Sequence, residues 1–156
     1  MEGKPVSQSI VKMTELVHPS HTNALNSAFG GVIVSWIDIC AAICAMRHAQ
    51  KPVVTASIDA LHFINPVYAG WIVNLHASVN YTGRTSMEIG VRADAENPIK
   101  GESFHVASAY LTFVALSDQK KPIDIPKIIP ESEIEKRRYA EAEKRREARL
   151  AMRAKV

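Results

Sequence analysis

Asp38 is the one charged residue in a run of apolar and small residues from Phe29 to Met46. A carboxylate in such surroundings is costly unless it is paired, hydrated or used. Structurally, it would cap a neighbouring loop or pair with a buried arginine. Chemically, it would be a general base or a nucleophile. Gly30 and Gly31 open the same run. In the first turn of a helix, two glycines permit close approach to free N–H groups. Those groups, at the positive end of the helix dipole, can hold a developing oxyanion. A glycine pair serves equally well where a helix packs tightly on a sheet. Asn23, seven residues before Gly30, either shapes a turn or helix entry or offers its amide to a water or a carbonyl.

Spacing restricts how these residues cooperate. Asp38 lies eight residues beyond Gly30, roughly 12 Å along a helix axis. One helix cannot place its own N-terminus and Asp38 on the same reacting carbon. If both act, a second copy supplies one of them, which predicts an active site shared across a dimer.

Period and punctuation predict the elements that position these residues. "SQSIVKMTELV" reads as a first strand and "HPSHTNALNS" as a polar loop; an apolar helix then runs from Phe29 to Ala49, with Pro52 as its stop. "VVTASIDALHFI" reads as one strand. "WIVNLHASVNY" alternates, with Trp71, Val73, Leu75, Ala77, Val79 and Tyr81 on one face and Asn74, His76, Ser78 and Asn80 on the other. "SMEIGVRADA" turns Met87, Ile89, Val91 and Ala93 inward, and "FHVASAYLTFVAL" is a final strand. The turns "TGRT" and "ENPIKGES" make these three an antiparallel meander. The class is α+β: a curved antiparallel sheet wrapped around one long apolar helix, which would explain a helix with no polar face. Residues 1–120 form the globular part, 121–130 a proline-rich connector, and 131–156 a charged, basic helix expected to be solvated, partly docked or frayed.

Composition excludes several functions. With 156 residues, 47% apolar and 22% charged, the chain has the makeup of an ordinary folded domain and not of a disordered one. Residues 1–130 carry ten basic and ten acidic side chains, so the net +3 resides in the tail, with nine against six. Six glutamates interleaved there argue against nucleic-acid binding. Cys40 and Cys44 lack metal or redox spacing and read as small buried thiols. The six histidines form no ligand cluster, so no metal is expected. "MEGKPVSQSI" lacks the apolar core of a signal peptide, and Gly30–Gly31 with Asp38 argue against a membrane span. The expectation is a cytoplasmic protein with no membrane partner.

Loop, helix and strand motifs together resemble one family. "N-x-x-x-x-x-F-G-G-x-x-x-x-W-I-D", from Asn23 to Asp38, is similar to the signature of the acyl-CoA hydrolases in the hotdog-fold thioesterase superfamily, among them bacterial acyl-CoA thioesterases and brain-type cytosolic acyl-CoA hydrolases. "VTASIDALHFINPVYAG", "GRTSMEIGV" and "VASAYLTFVAL" follow in that family's order, so the resemblance spans roughly residues 7–130. It implies a hotdog fold and dimers built through a continuous sheet, commonly assembled into hexamers as trimers of dimers. It implies hydrolysis of acyl-CoA to free acid and CoA in fatty acid metabolism. No cofactor is implied beyond the CoA of substrate and product. By position, Asp38 falls on the catalytic acid, Asn23 on a partner asparagine from the other subunit, and Gly30–Gly31 on the helix end that polarises the thioester carbonyl. Arg84, Thr85 and Ser86 are candidates to hold CoA phosphates or the pantetheine arm, or else an ordinary hairpin turn. Lys136, Arg137, Arg138, Arg145 and Arg146 either meet nucleotide phosphates or line a solvated helix. Two alternatives stand beside hydrolysis. "HFINPVYAG" is similar, with altered spacing, to the histidine motif of hotdog dehydratases, which would make His62 the base of a lyase; otherwise His62 is a half-buried strand residue. A non-catalytic acyl-CoA-binding domain is the other.

Overall fold

Strands that alternate between apolar and polar residues must lay one face on a core, and here they do so around α1. The computed structural model describes residues 1–155. It begins with β1 (Lys4–Pro5), a single helical turn at Val6–Gln8, and β2 (Val11–Leu16). A loop leads into α1 (Gly30–Ala49), followed by β3 (Val53–Ile58), β4 (Ile72–Thr82), β5 (Ser86–Asn97) and β6 (Glu102–Ala115). The chain closes with β7 (Ile128–Ile129) and α2 (Glu133–Arg153). Five strands make one antiparallel sheet in the order β2-β4-β5-β6-β3, with the meander β4-β5-β6 at its centre.

One sheet face packs on α1. Val73, Leu75, Ala77 and Val79 of β4 and Met87, Ile89, Val91 and Ala93 of β5 are buried with Ile33, Ile37, Cys40, Ala41 and Cys44 of α1. The helical positions recur every three or four residues, the spacing of one helix face. α1 ends where Gln50 adopts a left-handed conformation (φ 52°) two residues before Pro52. It is long and apolar enough to cross a membrane by length and composition, but the sheet occupies its buried face. The sheet does not cover all of it: Ile39 is 50% and Met46 45% exposed. The missing polar face is therefore only partly explained by the sheet.

Several boundaries differ from expectation, each for a local reason. The strand expected from "SQSIVKMTELV" is β2 and begins only at Val11, because Val6–Gln8 makes a turn instead. "VVTASIDALHFI" is a strand only to Ile58; beyond it Pro66 and the positive φ of Gly70 (84°) belong to a loop. His62 lies in that loop and is exposed, so it is not a half-buried strand residue. A bulge between Val79 and Tyr81 turns Tyr81 away from α1 and against Tyr139 of α2, with ring centroids 5.0 Å apart. The segment 121–130 also contributes to the fold: β7 pairs in parallel with β1, and Ile125 and Ile128 are buried.

Candidate active site

α1 begins without a side-chain cap. Phe29 occupies the capping position, its carbonyl accepts from Val32 N (3.1 Å) and Ile33 N (3.4 Å), and no acidic residue lies in the first turn. The N–H groups of Gly30 and Gly31 have no acceptor among the described residues. The two glycines differ in role. A Cβ on Gly30 would stand 3.1 Å from the Phe63 ring, so that glycine serves packing, whereas a Cβ on Gly31 would meet nothing within 4 Å. The helix end is thus open beside Gly31, with two donors and the positive dipole end available to a negatively charged oxygen.

Asp38 is half-buried on α1 and makes no ion pair among the described residues. It accepts one hydrogen bond, from Thr55 Oγ1 of β3 to Oδ1 at 2.8 Å. The second carboxylate oxygen has no partner among the described residues. Pairing with a buried arginine, the structural alternative, does not occur. Thr55 was not singled out from the sequence; it sits on an edge strand, and nothing in the one-dimensional pattern shows that β3 runs past Asp38.

Asn23 shapes its loop. Its Oδ1 accepts from Leu25 N (2.9 Å), Ser27 N (3.3 Å) and Ser27 Oγ (3.2 Å), which leaves the amide NH₂ without a partner among the described residues. The loop is fixed to the helix entry by Phe29 N donating to His21 O at 2.9 Å and by the edge-on packing of His21 on Trp36. The turn role and a free donor therefore coexist.

"TGRTS" is a hairpin turn, closed by Gly83 N donating to Ser86 O at 2.8 Å. Arg84 turns away to an exposed ion pair with Asp124 at 2.7 Å. Thr85 and Ser86 instead line a cavity of about 1200 Å³ under the C-terminal half of α2. Ala56 and Ser57, the two residues after Thr55, line it too, as do Arg146 and Arg153. Neither arginine has an acidic partner among the described residues.

Other arginines of α2 are spent on docking. Glu88 is 1% exposed and receives Arg145 Nε and Nη2, each at 2.9 Å, together with Arg149 Nη1 at 3.1 Å and Asn80 Nδ2 at 2.9 Å. Arg149 also bonds Asp59 at 2.8 Å, and the Arg145 guanidinium lies 3.7 Å above the Tyr110 ring. Burial pushes the Glu88 pKa up, but hydrogen bonds from Arg145, Asn80 and Arg149 more than offset it and leave the carboxyl below its ordinary value. α2 is therefore docked through one face by these contacts, while most of its residues stay exposed. The available signal was Arg145 and Arg149 four apart, matched to a lone glutamate at an outward position of β5. Cys40 and Cys44 are buried, and burial pushes their thiols up to about 11 and about 12; neither is a nucleophile at neutral pH.

A five-stranded antiparallel sheet around one long helix, with an open helix N-terminus and a half-buried carboxylate, defines the hotdog class of thioester-processing proteins. The family model described as Thioesterase superfamily matches residues 25–102. The chain belongs to the thioesterase superfamily. An uncharacterised acyl-CoA thioester hydrolase of Bacillus subtilis is 39% identical over 134 residues, covering 86% of this chain and 78% of that one. A solved apo-hexameric acyl-CoA thioesterase superposes with a TM-score of 0.94 at 40% identity over 99% of both chains. The acyl-CoA hydrolase of Staphylococcus aureus, solved with butyryl coenzyme A and coenzyme A, gives a TM-score of 0.91 at 39% identity, covering 97% of this chain and 93% of that one. That hydrolase is also known as alanine variants of an asparagine, an aspartate fifteen residues later and a threonine seventeen residues beyond the aspartate.

Proposed function

We propose that the protein hydrolyses acyl-CoA thioesters to free acid and CoA, with Asp38 acting at the thioester carbon and the Gly30–Gly31 helix end holding the carbonyl oxygen. The observation that carries this reading is Asp38 itself: a carboxylate with no ion pair, held at one oxygen by Thr55 and open at the other. Asn23, Asp38 and Thr55 have the residue types and the two spacings of the residues substituted in the Staphylococcus aureus hydrolase. A thioester is a reactive electrophile with a good leaving group, so a base or nucleophile and oxyanion donors suffice without a metal or other cofactor. Asp38 takes a proton from a water oriented by the Asn23 amide, which attacks the carbonyl carbon; the C–S bond then breaks and CoA leaves with that proton. Alternatively its free oxygen attacks directly and expels the CoA thiolate, and water then cleaves the mixed anhydride at the Asp38 carboxyl carbon. Single turnover in heavy-oxygen water separates the two, because only direct attack leaves the label in the Asp38 carboxylate.

The complete site needs a second copy. Asp38 and Gly30 lie on one helix, roughly 12 Å apart along its axis. β3 is an edge strand whose Val54 and Ile58 are 46% and 40% exposed, beside the exposed Ile39 and Met46 of α1. An open apolar edge of this kind is normally covered, and a second β3 would cover it and bring the partner's helix end and Asn23 loop to Asp38. A trimer of such dimers, suggested by the hexameric neighbour, and a cytoplasmic place in fatty acid metabolism belong to the same reading. The nucleotide of CoA lies in the α2 cavity, with Thr85, Ser86, Arg146 and Arg153 available to its phosphates. Arg84, committed to Asp124, has a smaller part.

Thiol release from a panel of acyl-CoAs by wild type and Asp38→Asn tests the assignment. Loss of the carboxylate lowers turnover by ~10²–10⁴-fold. No thiol release from any acyl-CoA, together with hydration of an enoyl-CoA that is lost on His62→Ala, would move the chemistry to a lyase.

A further inference from the structure

A second cluster of chemically capable side chains lies on the sheet face opposite α1, where β5 and β6 approach their hairpin. Asp94 Oδ1 is 3.0 Å from His105 Nδ1, and His105 Nε2 is 3.1 Å from Ser108 Oγ. A bulge creates the arrangement. Ala93 pairs with Ala107 but Asp94 pairs with His105, so Val106 is an extra residue in β6. Without it His105 and Ser108, three residues apart, would point to opposite faces of the strand. The bulge is held from outside the sheet by Ile64 N donating to Val106 O and Asn65 Nδ2 donating to His105 O, each at 2.8 Å.

The order of contacts is that of a nucleophile, its base and an orienting carboxylate. Burial pushes the Asp94 pKa up, but hydrogen bonds from Arg92 and His105 bring it below the ordinary carboxylate value, so Asp94 is charged at neutral pH. A charged Asp94 at Nδ1 holds the imidazole proton there and leaves the Nε2 lone pair facing Ser108. Ser108 is exposed and borders a cavity of about 200 Å³ that Arg92, Arg137 and Arg138 also line. Arg92 pairs directly across from Ser108. Its Nε bonds Asp94, while its Nη groups have no partner among the described residues.

We propose that Ser108, His105 and Asp94 form a second, serine-based esterase centre for small carboxylic esters that carry a negative charge. Ser108 Oγ bonds to the ester carbon as its proton passes to His105 Nε2. The carbon–oxygen bond to the alcohol then breaks, and the alcohol leaves with that proton. Water, deprotonated by the same nitrogen, releases the acid and restores the serine. The Arg92 Nη groups hold the developing oxyanion, and Arg137 and Arg138 attract the substrate's own charge.

Two experiments test it. The full-length protein is exposed to a fluorophosphonate and the adduct mapped by mass spectrometry. The expected adduct is on Ser108, forming at least ~10²-fold more slowly in His105→Gln. No adduct, an adduct elsewhere, or an equal rate in His105→Gln overturns the proposal. In the Asp38→Asn background, hydrolysis of an aryl hemisuccinate should exceed that of the neutral aryl acetate and be lost on adding Ser108→Ala. Retention of the activity without Ser108, or preference for the neutral ester, overturns it.

Discussion

α1 and α2 are nearly equal in length, 20 and 21 residues, and pack on opposite faces of one sheet by opposite chemistries. α1 buries Ile33, Ile37, Cys40, Ala41 and Cys44 and carries one carboxylate that has no ion pair among the described residues. α2 fully buries a single apolar residue, Ala142, and is anchored by Arg145 and Arg149 on the buried Glu88. In α2 the charges are the packing, and removing one leaves its partner stranded. In α1 the charge contributes little to packing, so its presence calls for another explanation. A charge therefore points to function according to what it is already bonded to, not according to how apolar its surroundings are.

Putting leucine at each of the two carboxylates should separate these cases. Asp38→Leu places an apolar side chain beside the exposed Ile39 and should leave thermal stability unchanged or raised, while thiol release from acyl-CoA falls by at least ~10²-fold. A large loss of stability would mean that Asp38 is structural after all. Glu88→Leu should do the reverse in kind. It leaves two arginines facing an apolar residue and should cost on the order of 3 kcal/mol, the range for breaking a buried ion pair from one side. Chemical denaturation would show it, with α2 becoming sensitive to protease first. An Arg145→Met/Arg149→Met/Glu88→Leu triple variant that recovers the loss would show that the ion pairs themselves, not the polar surroundings, set the cost.

The sequence revealed α1 far better than it revealed α2. The apolar run, its glycines, its stop at Pro52 and the alternation of β4 and β5 are local patterns, and the sheet that forms obeys them. Docking of α2 depends on Glu88 meeting Arg145 across 57 residues; the four-residue spacing of Arg145 and Arg149 marks a shared helix face but not the residue that face meets. Within the site the same division holds. Asp38, Gly30 and Gly31 stand out because they break an apolar pattern. Thr55 follows no broken pattern and gains its importance only because β3 runs alongside α1. Its hydrogen bond to a carboxylate gives the next prediction. Thr55→Val should lower turnover about tenfold with little change in KM, as expected for a bond to a charged group of about 1.5 kcal/mol, and Thr55→Ser should restore it. A fall in stability without a fall in turnover would place Thr55 on the packing side of the comparison.

Acid should sharpen the contrast most gently. His48 of α1 is buried: its Nε2 donates to Pro126 O at 2.7 Å, and Nδ1 has no partner among the described residues. Burial holds its pKa below the ordinary 6.5. The unfolded chain therefore takes up a proton near 6.5 that the folded chain resists. The corresponding stability is complete above that pH and declines as pH falls, by at most about 1.4 kcal/mol per pH unit for one proton. Glu88 has the same sign in a lower window: its depressed carboxyl stabilises the fold above the ordinary 4.5 and ceases to do so as pH falls further. Denaturation midpoints followed from neutral pH to about pH 3 should decline in two stages. The first should shrink in His48→Gln, whose amide can still donate to Pro126, and the second in Glu88→Gln, with the depressed carboxyl of Asp94 carrying the remainder. A first stage that persists in His48→Gln would assign it to His76, whose pKa is lowered by burial and by the charges of Lys12 and Arg138. That outcome would move the mild acid response off α1 and onto the opposite face of the sheet, where His76 of β4 lies.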